Sequence, residues 1–510
     1  MPAGRIEPPL VLALDLGSSS LRAIVYDAQG REVAGTEGRT EWRWTLTPDG
    51  GVEGDPDALL DGACGAIDQA IAGAGVVAQD IKAVGISTFW HNIMGVDPAG
   101  RPSTALFSWA DERSAGAARF LRDRLDERAV HRRTGCRFHP SYPAARLLWL
   151  RGARPDAWRA TRTWMSIGEY LALRCFGRAV CSVSMASGTG LLDQERCGWD
   201  AEVLEAIGLT PDRLSPIADI GDPLVGLVPV YAARWPALQH VPWLPAAGDG
   251  ALSNLGTGCV GPSRAALTIG TSGALRVLGR KAPAGLPSGL WHYRLDRGRR
   301  LVGGAVSTGG SLFRWVQEQF ALGAPEAVER GLRERRPDGH GLVVLPFLAG
   351  ERSPYWPLRA RGAVVGMTLA TDPLDLLQAG LEAVAQRFAL IWDEVREAVP
   401  GIGEIVVSGG ALLRSPAWMQ IVADVLGHEV VASAEPEGSS RGAALIALEL
   451  LGAARAEDVP APLGVVVSPD PERYARYREA RARHFEVEAA LGPLQDALLD
   501  RSDSRPDRVE

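Results

Sequence analysis

The sequence predicts an α/β protein built from two similar lobes, and three observations carry that prediction. Two segments, one in each half, resemble each other: Leu14-Asp15-Leu16-Gly17-Ser18-Ser19-Ser20 and Leu267-Thr268-Ile269-Gly270-Thr271-Ser272-Gly273. Each follows an apolar run (Val11–Leu14, Ala265–Ile269) and resumes in another (Leu21–Tyr26, Ala274–Leu278). That is the pattern of strand, tight turn, strand, and its recurrence once per half suggests a duplicated fold. The second observation is a long helix. Asp372-Pro373 supplies a cap and a first-turn proline, and Leu374, Leu377, Leu381, Val384, Phe388, Ile391 and Val395 then repeat at three- and four-residue steps up to Pro400-Gly401. One apolar face of that length packs on a sheet. Third, Glu404–Val407 runs into Ser408-Gly409-Gly410, and a helix opens at Ser415-Pro416 and closes at Gly427.

A chain of 510 residues has room for two to four domains. Its 46% hydrophobic and 23% charged residues are ordinary for a globular protein, and a net charge of -7 offers no attraction to nucleic acid or anionic membrane. Arginines gather at Arg119–Arg133, but Asp123, Asp126 and Glu127 interrupt them, which predicts a solvated helix face. Cys64, Cys136, Cys175, Cys181, Cys197 and Cys259 are scattered without metal or redox spacing, as expected of small buried residues in a reducing compartment. The first apolar run is cut by Asp15, too early for a signal peptide, and no run reaches the ~18 apolar residues of a membrane span. A cytoplasmic protein is expected. Pro242, Pro245 and the glycine-rich Gly248–Gly261 place the lobe junction near residues 250–262. Beyond 455 a Pro/Ala-rich stretch precedes a terminal helix at Glu472–Glu488, and Arg501–Glu510 is expected to fray.

The three glycine-and-hydroxyl turns are where chemistry can sit. Backbone N–H groups in such turns converge on phosphate oxygens, and glycine permits the approach. The first turn also brings Asp15, able to hold Mg²⁺, and Arg22, able to offset charge on a transferred group; alternatively Asp15 caps the turn and Arg22 is surface. Neither the Gly-x-x-x-x-Gly-Lys-Ser/Thr loop nor the protein-kinase motif set occurs, so a nucleotide would be bound by the hairpin turns. A phosphoryl acceptor also needs a base. Asp249, between Gly248 and Gly250 after the strand-like Val241–Ala247, is sterically open and lies where the lobes should meet, although an Asp-Gly pair also makes a plain turn.

Taken together, these segments resemble the FGGY carbohydrate kinases from about Leu10 to about Gly452. Asp15–Arg22 is similar to that family's first phosphate loop. Ser141-Tyr142-Pro143-Ala144-Ala145-Arg146-Leu147-Leu148-Trp149-Leu150 resembles its first signature, with Arg146 in place of the usual lysine. Leu345-Pro346-Phe347-Leu348-Ala349-Gly350-Glu351-Arg352-Ser353-Pro354 is similar to a family hallmark, and Gly362–Glu382 to the second signature except at Gly380. Val406–Ala411 with Ala423–Gly427 resembles the adenosine site. The resemblance implies two ribonuclease-H-like lobes of the actin/hexokinase type around a catalytic cleft. Residues 1–255 would form the sugar-binding lobe, 256–455 the ATP-binding lobe, and 456–510 a terminal helix and tail. It implies ATP and Mg²⁺ as cofactors, Asp249 as general base and Asp15 as the metal's carboxylate. Gly17, Ser18, Ser19, Ser20 and Arg22, with Gly270, Thr271 and Ser272, would face phosphates. Gly310, Gly409, Gly410 and Ala411 would face the nucleotide, and Trp90, His91, Ser141, Asp249 and Gly250 the sugar.

Trp109–Ser114, Ser184–Leu192, Asp249–Gly256 and Ile269–Arg276 resemble the gluconokinase branch most. The implied reaction is phosphorylation of a terminal hydroxyl of an open-chain sugar acid, D-gluconate to 6-phosphogluconate. Trp90 and His91 stand where glycerol kinases carry an arginine and a glutamate, which argues against glycerol. A carboxylate in the substrate calls for a cation, and Arg113, Arg137, His139 and Arg276 are candidates. Phe89–Asn92 is shorter than expected of gluconokinases, so xylulose, ribulose or a polyol such as erythritol stays open. A catalytically inactive sugar-responsive regulator is disfavoured by the intact Asp15, Asp249 and Thr271-Ser272. The expected partner is a small-molecule sugar or sugar acid, with no nucleic acid and no membrane; a homodimer is allowed but not specified.

Overall fold

The computed structural model describes residues 6–503 apart from 284, with side chains up to residue 495. Leu10–Leu16 and Ser20–Tyr26 pair antiparallel and form the first hairpin; Gly38–Glu41 extends it. On the other side Ile81–Thr88 lies parallel to the first strand, and Ala247–Gly248 parallel to Ile81–Thr88. The second lobe repeats this plan. Arg264–Ile269 and Gly273–Gly279 form the second hairpin, extended by Arg300–Val306, while Glu404–Ser408 and Val430–Ser433 add in parallel. Trp291–Arg294 and Leu463–Val467 extend the edges to a seven-stranded sheet. Three antiparallel strands followed by two parallel ones, in the same order in both lobes, is the ribonuclease-H-like plan, and the sequence similarity of the two hairpins reflects it.

Burial explains the strand composition. Every residue of Leu10–Leu16 is buried, because helices cover both faces of this central strand. Pro56–Ala74 packs on the hairpin and Gly438–Leu450 on the strands behind it. In the second lobe the expected long helix spans Pro373–Ala398, with Asp372 in a capping box, and covers the second hairpin. Ser415 caps Pro416–Leu426, which ends on Gly427 in the left-handed conformation, as its sequence requires.

The glycine-rich passage at 248–261 holds a helix, Asp249–Gly256, rather than a flexible link. Its glycines serve packing. This helix crosses Gly438–Leu450 so closely that a Cβ on Gly442 would sit 1.9 Å from the Leu252 carbonyl oxygen. Arg441 pins the junction by donating to the carbonyls of Gly30, Gly256 and Pro460 at 3.1, 2.7 and 3.1 Å. The lobes are thus joined by two helices in van der Waals contact, and one apolar cluster, including Leu252, Leu278 and Ala443, contains residues of both.

Three local expectations need correction. The segment before Asp249 is a strand at Ala247–Gly248 alone, because Trp243 there makes isolated bridges to Val84 and Leu224. The terminal helix is longer than its charged core, running from Pro471 to Asp503; of the segment expected to fray, Arg501–Asp503 are helical and 504–510 lie outside the described residues. The arginines of 119–133 are not uniformly solvated: Arg122 donates to the Phe138 and Trp356 carbonyls at 3.0 and 2.8 Å, and Arg133 pairs with Asp200 at 2.5 Å. All six cysteines are buried and unpaired. Among the described residues no helix is long and apolar enough to cross a membrane.

Candidate active site

The first hairpin turn exposes Ser18 and Ser19 at its tip. The turn closes with the Gly17 amide donating to the Ser20 carbonyl at 3.0 Å. Two indoles then fix it from behind: Trp42 Nε1 donates to the Gly17 carbonyl at 2.9 Å and Trp44 Nε1 to the Ser18 carbonyl at 2.8 Å. With its carbonyls held, the tip offers backbone N–H groups and hydroxyls outward, which suits phosphate.

The second turn is joined to two other nucleotide-site segments expected from the sequence. The amides of Gly309 and Ser311 donate to the Thr271 carbonyl at 2.9 and 3.1 Å, and the Gly310 amide to Gly270 at 2.7 Å. This docks the N-terminus of Gly310–Gln319 on the turn. A Cβ on Gly310 would lie 2.4 Å from Ala411 Cβ, so the Gly409-Gly410-Ala411 turn packs against the same point. Thr268 and Ser408 hydroxyls meet at 2.9 Å across the strands that feed the two turns. Gly270, Thr271, Ser272, Gly310, Gly409, Gly410 and Ala411 therefore converge, although they lie far apart in the chain.

Asp15 and Asp249 sit at the same edge of the first sheet. Asp15 pairs with Ser87, Gly248 pairs with Thr88, and Asp249 follows directly. Two strand spacings of about 4.8 Å put the two backbones roughly 10 Å apart. Burial pushes the Asp15 carboxyl up, partly opposed by Ser87 and Arg22, and its Oδ1 has no hydrogen-bond partner among the described residues. Asp249 is pushed up to about 6, first by burial and then by the Asp15 charge, with Arg276 and the Gly250 and Trp90 backbone opposing. Its Oδ1 accepts from the Gly250 amide at 2.7 Å. A carboxylate poised near neutrality at a cleft is what a general base requires. The spare, buried acceptor on Asp15 fits a hard divalent cation, which would supply charge neutralisation to a polyphosphate there.

Arg22 is placed differently from expectation. It sits opposite Asp15 in the hairpin, but its guanidinium is held by Glu437 of the second lobe at 2.5 Å. Both side chains are half-buried, and in this conformation the pair ties the lobes together.

The expected sugar-site residues surround Asp249 with aromatic groups. The Trp90 ring lies against its backbone: a Cβ on Gly248 would be 1.9 Å from Trp90 Cε2, and one on Gly250 2.8 Å from Cζ3. Trp90 Nε1 donates to the Ser184 carbonyl at 3.0 Å. His91 Nδ1 meets the Gly188 carbonyl at 2.5 Å, and burial takes its pKa down to about 3, so the ring is neutral. Ser141 acts through a neighbour. Its amide and hydroxyl both reach His139 Nδ1, at 3.2 and 2.9 Å, which leaves Nε2 to face the Pro357 carbonyl of the other lobe at 3.2 Å.

Several site residues were not anticipated. Tyr142 and Tyr293 share a hydrogen bond of 2.6 Å and pack against His91. Arg146 is fully buried and donates to the His91 and Pro140 carbonyls at 2.9 and 2.8 Å, so the signature arginine fixes the backbone at His91. Asn254 Oδ1 accepts at 3.1 Å from Arg276, one of the candidate cations read from the sequence. Trp42 and Trp44 had a local signal, two indoles one residue apart, and Tyr142 and Arg146 lie in the signature-like segment; Tyr293 and Asn254 needed the fold.

The chain matches the N-terminal domain of the FGGY family of carbohydrate kinases over residues 10–256 and the C-terminal domain over 265–451. It is 29% identical over 461 residues to a gluconokinase of Bacillus subtilis, covering 87% of this chain and 88% of that one. To a glycerol kinase of Leptothrix cholodnii it is 32% identical over 459 residues, covering 86% and 90%. A crystal structure of gluconate kinase from Lactobacillus acidophilus superposes with a TM-score of 0.86 at 25% identity, covering 96% of this chain and 99% of that one. With both family domains in tandem around one cleft, the chain belongs to the FGGY family of carbohydrate kinases.

Proposed function

We propose that the protein transfers the γ-phosphoryl group of ATP to a terminal hydroxyl of an open-chain sugar acid, with D-gluconate giving 6-phosphogluconate. The observation that carries the mechanism is Asp249, a carboxyl pushed up to about 6 at the cleft edge beside Asp15. The sugar occupies the pocket of Trp90, His91 and Gly250, with Ser141 orienting His139. ATP lies on the second lobe, its phosphates between the Gly17–Ser20 and Gly270–Ser272 turns and its nucleoside toward Gly310 and Gly409-Gly410-Ala411. Asp15 would hold the Mg²⁺, which would supply charge neutralisation to the polyphosphate. The Asp249 carboxylate takes the proton of the terminal hydroxyl as that oxygen bonds to the γ-phosphorus. The bond from phosphorus to the β–γ bridging oxygen breaks, and ADP leaves.

The sugar-acid reading is supported by the similarity to gluconokinases in sequence and in structure. Coupled ADP release with ATP and Mg²⁺ over gluconate, xylulose, ribulose, glycerol, erythritol and xylitol tests it. Gluconate is expected to give the largest kcat/KM; a larger value for another member replaces the substrate and keeps the mechanism. Silence across the panel with ATP bound would favour a non-catalytic regulator.

The pH profile tests the base. Asp249 must be ionised to accept a proton, so activity is present above its pKa and lost as pH falls through it. With the carboxyl at about 6, kcat/KM for the sugar should fall about tenfold per pH unit on the acid side. A flat profile down to pH 5 would exclude Asp249 as the titrating group.

A further inference from the structure

The sugar-acid reading needs a cation for the carboxylate, and the structure disposes of the four sequence candidates. Arg113 is spent on Asp111 and Glu53 at 2.6 and 2.7 Å. Arg137 pairs with Glu127 at 2.6 Å and donates to the Ser288 carbonyl at 2.9 Å. His139 is held neutral by burial, its pKa taken down to about 3. Arg276 donates to Asn254 Oδ1 at 3.1 Å and Thr268 Oγ1 at 2.9 Å and faces Asp249, so it serves the reacting end.

A fifth cation was overlooked. Arg352, in the hallmark segment of the second lobe, is 8% exposed and has no carboxylate within salt-bridge distance among the described residues. Its Nη2 donates to the Val306 carbonyl at 3.0 Å, and its Nε finds no acceptor. The adjacent Glu351 is turned away: Oε1 accepts from the Ser307 and Arg352 amides at 3.2 and 2.7 Å, and Oε2 faces Arg387 at 3.4 Å. The guanidinium lies 4.8 Å from the ring centroid of Trp109, which belongs to the first lobe. Its charge is felt by Tyr142, Tyr293 and Asp249, and it helps keep His91 and His139 neutral. Burying a guanidinium without a counter-ion is costly. Its planar fork matches a carboxylate in bidentate fashion, which an ammonium does not.

We propose that Arg352 reads the carboxylate of the substrate, from the second lobe, while Asp249 takes the proton at the other end of the open chain. The proposal rests on the sugar-acid reading above. Because Trp109, Trp90 and His91 lie on the first lobe, a carboxylate held by Arg352 clasps the two lobes across the substrate.

The test compares gluconate with D-glucitol, which has a hydroxymethyl group in place of the carboxylate, in the wild type, Arg352→Gln and Arg352→Lys. Both kcat/KM and tryptophan-fluorescence titration without nucleotide are measured. Arg352→Gln should cut the preference for gluconate over glucitol by about 30-fold or more, carried by KM. Arg352→Lys, which keeps the charge and loses the fork, should recover part of it. If Arg352→Gln does not fold, an unchanged preference in Arg352→Lys overturns the proposal. So does an Arg352→Gln protein that weakens both ligands equally, or one whose loss lies in kcat with the gluconate KM kept. A wild type that binds glucitol as tightly as gluconate overturns the sugar-acid reading itself, and Arg352's role with it. A wild type that prefers gluconate, with the preference intact in Arg352→Gln, overturns Arg352 alone.

Discussion

Asp249→Asn should lower turnover by about 10²–10⁴, the range general-base catalysis supplies, while ATP still binds. The replacement is isosteric, and its side-chain oxygen can still accept from the Gly250 amide, which now meets Asp249 Oδ1 at 2.7 Å. What it loses is the capacity to take a proton. The helix it begins, Asp249–Gly256, is anchored by packing on Gly438–Leu450, so the lobes should stay joined. Removing the charge also relieves the repulsion that Asp15 exerts on this carboxyl, so affinity for the nucleotide is not expected to fall. ADP release under saturating sugar, with an equilibrium ATP titration alongside, checks both halves. Near-normal turnover in the variant would remove Asp249 from the proton transfer.

Gly409→Ala should raise the KM for ATP by about 10-fold or more. Gly409 has φ +93°, a conformation closed to L side chains, and a Cβ there would lie 2.4 Å from the backbone oxygen of Ile269. Forcing a side chain into such a position costs about 1–3 kcal/mol, and neither contact can relax without moving backbone. Ile269 ends the strand that leads into Gly270-Thr271-Ser272, so the substitution pushes apart the two turns proposed to hold ATP. Sugar affinity, read by tryptophan fluorescence without nucleotide, should be retained because Trp90, His91 and Asp249 are not carried by the displaced turns. A variant with unchanged KM for ATP would place the nucleotide elsewhere.

The pattern of apolar runs and turn residues made much of the fold legible. Both hairpins, the Pro373–Ala398 helix with its capping box and the strand-turn-helix at 404–427 follow from local rules: alternation, caps, and glycine where φ is positive. Local rules do not reach glycines and charges that answer to a distant partner. The glycines of 248–261 look like a linker, yet they let two helices meet. Arg22 pairs with Glu437, far along the chain, which no local pattern announces.

The three glycine-and-hydroxyl turns, together with Asp15 and Asp249, were determined by the sequence itself, because turns and carboxylates are short-range features written in a few consecutive residues. That Arg352 is buried with no carboxylate at salt-bridge distance among the described residues was decided by the tertiary structure alone. Arg113, Arg137 and Arg352 are equal as letters, and they differ only because folding gives the first two an acidic partner and leaves the third buried over Trp109 without one. Charge compensation is a property of neighbours in space, and those neighbours come from both lobes.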